Sequence, residues 1–106
     1  MPSALPTQGI AKAFAYINTI PAFFGYGVSG IVKNGTGDYT ITWSTAFATS
    51  TYTVVAIAKF NAGTADARIV NIADSDFTTT TARVLITDVA GALADPNEFL
   101  VAAFEA

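Results

Sequence analysis

The chain has 106 residues, 52% of them apolar and only 12% charged, with a formal net charge of −3 and neither histidine nor cysteine. A single domain of this length hides about two thirds of the surface its unfolded chain exposes. The composition removes disulfides, sulfur or imidazole metal sites and the usual general base, and the five scattered basic residues Lys12, Lys33, Lys59, Arg68 and Arg83 leave no footprint for nucleic acid or anionic membrane.

Residues 1–9, MPSALPTQG, carry two prolines and one large apolar residue, so a flexible N-terminal arm is predicted, followed by one β-sandwich domain over 10–106. Pro2, Leu5 and Pro6 are its candidate partner contacts. The arm lacks the basic and apolar regions of a secretory signal, so export by that route is not expected. KAFAYIN, at 12–18, reads as a strand, although Ala11 to Tyr16 has the propensity for a helical turn. The most hydrophobic window, IPAFFGYGVSGIV, is too short and too interrupted by Pro21, Gly25, Gly27 and Gly30 to span a bilayer. Within it Phe23, Phe24 and Tyr26 lie in an irregular Gly/Pro segment and are candidates for an oligomer interface, where aromatic residues are enriched.

GVSGIVK and DYTITWS are strand patterns, the second with Tyr39, Ile41 and Trp43 on one face and Thr40, Thr42 and Ser44 on the other. Between them Asn34, Gly35, Gly37 and Asp38 are residues that tolerate positive φ or cap a turn, which predicts a hairpin bend. A phosphate-cradling loop would need the Lys and Ser/Thr of a P-loop and a helix after it. YTVVAIAKF leaves both faces apolar, so a strand covered on both sides is expected, with Val55 and Ile57 as further interface candidates. ARIVNI, TARVLIT and FLVAAF complete the series, separated by turn residues at the intervals of an all-β sandwich. The expected fold is therefore an all-β antiparallel sandwich of Greek-key or jelly-roll type. Ala90 to Ala94 could form a helical turn on propensity alone.

Chemistry is sparse. The lysines lack the Ser-x-x-Lys spacing of a nucleophile pair. Asp74 and Asp76, with Asp66, could hold a hard cation or act as an acid–base pair, but Asp and Ser are also ordinary turn residues. No cofactor, metal site or catalytic residue is expected. So little charge on so apolar a chain predicts burial against further copies, ahead of the alternative that one copy exposes a larger apolar patch than monomers usually carry.

The blocks AKAFAYIN, then GYGVSGIVKNGTGDYTITWSTAFATSTYTVVA, then ARVLITDVAGALADPNEFLVAAF resemble, in order, a module of bacteriophage tail-fibre and related virion proteins. The likeness extends from Ala11 to Phe104 and is most specific at Asn34 to Thr40; Phe14 stands where that module commonly has Trp. The resemblance implies a β-rich, trimeric, non-enzymatic virion protein, assembled in the host cytoplasm. With Met1 and only a short arm before the module, the expectation is a small capsid decoration or cement protein contacting other virion proteins. A tail-fibre tip or adhesin binding host-surface glycan is the alternative, and a carbohydrate-active enzyme using Asp side chains a more distant one.

Overall fold

The computed structural model describes residues 11–18, 22–59 and 67–105. They form eight strands: β1 Ala13–Asn18, β2 Phe23–Tyr26, β3 Val28–Gly35, β4 Asp38–Trp43, β5 Thr53–Ala58, β6 Ile69–Ile72, β7 Thr81–Thr87 and β8 Glu98–Phe104. The strands pair antiparallel in two four-stranded sheets, β2-β1-β8-β5 and β3-β4-β7-β6, packed as an antiparallel β-sandwich. The described residues contain no helix: Ala13 to Tyr16 belong to β1, and Val89 to Gly91 form a turn.

Period-two patterning becomes the core. In β4 Tyr39, Ile41 and Trp43 point inward, joined by Ala82, Val84 and Ile86 of β7. They meet Ala13, Ala15 and Ile17 of β1 and Phe99, Val101 and Ala103 of β8. Small inward residues on one sheet leave room for large ones on the other, which lets two twisted sheets close at roughly 10 Å. Tyr39 and Phe99 touch across the gap with ring centroids 4.8 Å apart. One end is closed by an aromatic cluster in which Phe47 stacks on Tyr52 at 3.9 Å and Phe77 at 4.7 Å from the same ring. Tyr52 Oη accepts from Trp43 Nε1 (2.9 Å) and lies within reach of the Thr78 and Thr81 carbonyls (2.7 and 3.0 Å). Burial drives the titration of the Tyr52 hydroxyl upward.

Seven strands lie where the sequence predicts them. The Phe23 to Tyr26 segment corrects the reading of an irregular stretch: it is strand β2, paired to β1. All four of its residues are exposed, so no buried–exposed alternation betrays it, and its order comes from backbone pairing at a sheet edge. The next residue, Gly27, carries the chain from one sheet into the other with φ at +77°. A β-carbon there would sit 2.7 Å from Ala13 Cβ, so both the conformation and the close approach require glycine.

Candidate functional site

Cross-strand register arranges the outer face of the β2-β1-β8-β5 sheet in two rows. One row runs Phe24, Tyr16, Leu100, Ile57, and the other Tyr26, Phe14, Ala102, Val55. Opposed residues of an antiparallel pair point to the same side, so seven large side chains and one alanine lie together. Phe24 is 79% exposed, Ile57 62% and Val55 51%, with Tyr26 and Phe14 also open. The five interface candidates are thereby sorted: Phe24, Tyr26, Val55 and Ile57 share this face, whereas Phe23, opposite the buried Ile17, belongs to the inward side at the edge. Phe14, Leu100 and Ala102 also belong to the surface. Their signal was in the sequence, as the outward parity of KAFAYIN and FLVAAF, but it becomes visible only once the strands are placed side by side.

Ala102 makes a depression between two bulky neighbours, Phe14 on β1 and Val55 on β5. The resulting groove has a volume of about 280 Å³ and is walled by Phe14, Val55, Ile57 and Leu100. Among the described residues, the charge in the rows of this face gathers at one corner. There Lys59 Nζ donates to Tyr16 Oη (2.6 Å) and Glu98 Oε1 (2.9 Å), and Tyr16 Oη donates to Glu98 (2.5 Å). The bonds from Tyr16 and Lys59 hold the Glu98 carboxyl below its usual range, while Tyr16 and Glu98 raise the Lys59 ammonium. Beside this corner, Tyr16, Asn18, Phe23, Phe24 and Glu98 edge a second, shallower depression of about 220 Å³.

The opposite outer face is different. Its rows contain Thr40, Thr42, Thr81, Arg83 and Asn71, with Val32, Leu85 and Ile69 dispersed among them. Arg83 grips Asp38 through Nε (2.9 Å) and Nη2 (2.7 Å), which keeps the Asp38 carboxyl low. One face is therefore dressed for water and the other is not.

The Asn34 to Asp38 bend closes the β3–β4 hairpin, with Asn34 Nδ2 donating to Asp38 Oδ1 (3.2 Å) and Thr40 Oγ1 (2.8 Å). Gly37 has φ at +66°, while Gly35 has open space where a β-carbon would stand. Asp95 pins the bend, accepting from Lys33 Nζ (2.7 Å), the Gly37 N–H (2.8 Å) and Tyr39 Oη (3.0 Å). Burial works to raise the Asp95 carboxyl, but those three donors outweigh it and the net shift is downward.

Asp74 and Asp76 fall in the β6–β7 turn, Asp76 at φ +61° with its carboxylate 3.5 Å from Arg83. Asp66, Phe60 and the arm residues Pro2, Leu5 and Pro6 lie outside the described residues. Among the described residues no three His, Cys, Asp or Glu side chains gather as metal ligands. Comparison with known protein families, with curated proteins and with solved structures found no match.

Proposed function

We propose that the chain is a non-enzymatic structural protein of a bacteriophage particle, a small homotrimer held on the capsid surface as a decoration or cement protein. The observation that supports assembly is the unequal dressing of the two outer faces. Phe14, Phe24, Tyr26, Val55 and Ile57 alone leave roughly 500 Å² of apolar surface in water, counting about 200 Å² for an aromatic side chain. That lies at the upper end of what a monomer tolerates. With the polar rim interfaces carry, it amounts to about 900 Å² per copy, the share one partner gives to a stable pair, which a ring of three divides between two contacts. The phage setting and the number three rest on the ordered sequence blocks from Ala11 to Phe104. In that setting the arm and the polar face remain for contact with other virion proteins. Particle purification tests the reading: the chain should travel with virions through a density gradient and occupy three-fold density on the capsid. Absence from purified particles would reject it.

A second reading, attachment to a host-surface glycan, is favoured by the corner depression, where the exposed Phe24 ring stands beside Tyr16, Asn18 and Glu98. Aromatic faces with nearby acceptors suit a sugar ring. A glycan array decides between the two, since the structural reading expects no specific binder.

A further inference from the structure

The apolar face carries both a projection and a recess, and we infer that they fit each other between copies: Phe24 of one molecule seats in the Ala102 groove of the next. This rests on the self-assembly proposed above and names its contact. Phe24 is the most exposed large apolar side chain among the described residues and stands on β2, which ends the sheet among the described residues. The groove lies two strands away on β8, so a molecule cannot fill its own recess and the two features are free for different neighbours. Size agrees, because a cavity of about 150 Å³ takes a benzene ring and the groove offers about 280 Å³. Chemistry agrees too. Phe14, Val55, Ile57 and Leu100 present no charge to an entering ring, and the nearby Lys59–Glu98 pair is internally matched, so two copies of the face meet without a surplus of like charge. A partner chosen by charge would find nothing here to select it. Projection and recess are separate features of one face, so the contact closes either as a ring or as a two-fold pair in which each Phe24 enters the other copy's groove.

Complementation tests it. Phe24→Ser keeps the groove and loses the projection; Ala102→Gln keeps the projection and fills the groove. Each variant alone should dissociate at a concentration at least tenfold higher than the unaltered protein, as expected for one aromatic side chain removed from a buried site. Mixed in equal amounts, they should form a 1:1 pair, visible by native mass spectrometry, that grows no further, because the other ends carry neither feature. Val55→Gln, which alters the groove from its rim, should behave as Ala102→Gln does, and circular dichroism of every variant should keep the β spectrum. An unaltered protein that is assembled, with both variants equally assembled or with no mixed pair, overturns the contact while leaving assembly standing. A monomeric unaltered protein overturns both. A ring closing at two copies, with complementation intact, supports the contact and rejects the trimer.

Discussion

Gly37 is the residue on which the hairpin turns. Its φ of +66° is open to glycine and strained for other residues, and an added β-carbon would overlap the Ile86 carbonyl oxygen and come within 2.8 Å of the Ala94 nitrogen. Gly37→Ala should therefore cost more than about 2 kcal/mol in urea unfolding, strain and overlap together, while Gly35→Ala should stay within about 1 kcal/mol. Equal costs at the two positions would mean that the bend is held some other way. Tyr52 makes a comparable prediction at the far end of the sandwich. Tyr52→Phe strips the buried Trp43 Nε1 of its acceptor and removes the one hydroxyl proton shared between the Thr78 and Thr81 carbonyls, of which the second still accepts from the Thr78 N–H. The expected loss is about 1–3 kcal/mol, with Trp43 fluorescence reporting the altered surroundings.

Ion pairs join strands that are distant in the chain, and they set the response to pH. Asp38 on β4 meets Arg83 on β7, Asp95 reaches Lys33 on β3, Glu98 on β8 meets Lys59 after β5, and Glu105 meets Lys12. All four carboxyls titrate below their ordinary values of 3.8 and 4.5, Glu105 through the Ala48 N–H and then Lys12. A carboxyl lowered in the folded state binds fewer protons there than in the unfolded chain. Its stabilisation is complete above the unfolded value and is lost as pH falls through the folded one. Tyr39, raised chiefly by burial and then by Asp95, and Lys59 act in the opposite sense, giving up stability as pH climbs past their ordinary 10.0 and 10.5. With no histidine to titrate between, the melting temperature should be flat from about pH 5.5 to 9 and fall on both sides. A slope near pH 6.5 would contradict this.

The strands behind these pairs were readable because Tyr39, Ile41 and Trp43 alternate with Thr40 and Thr42, and because FLVAAF, apolar on both faces, is bounded by the turn residues before it. β2 was not, because an edge strand ordered by backbone pairing, with all its side chains exposed, has no such contrast. The outer face was legible in fragments: YTVVAIAKF announced Val55 and Ile57, and the aromatic cluster announced Phe24 and Tyr26. Joining them to Phe14 and Leu100 required the order β2-β1-β8-β5, and strand order depends on long-range pairing that period-two patterning does not encode.

At the scale of the molecule, the sandwich has one threonine-rich face and one aromatic and aliphatic face, and the proposed assembly covers the second. In that assembly, burial of the face would offset the exposure of Phe24, Val55 and Ile57, and the edge strands β2 and β5 flank it. Charge on the face should lift the assembly apart without unfolding the subunit: Ile57→Lys is expected to give a folded monomer with the melting cooperativity of a single domain. The same substitution at Thr42, on the polar face, should leave the assembly intact. The most direct measurement is the mass of the unaltered protein by light scattering at micromolar concentration. From a chain of 11.0 kDa, the trimer predicted here has a mass of about 33 kDa, persisting on tenfold dilution; a steady 11.0 kDa would contradict the claim that this face exists to be buried against further copies.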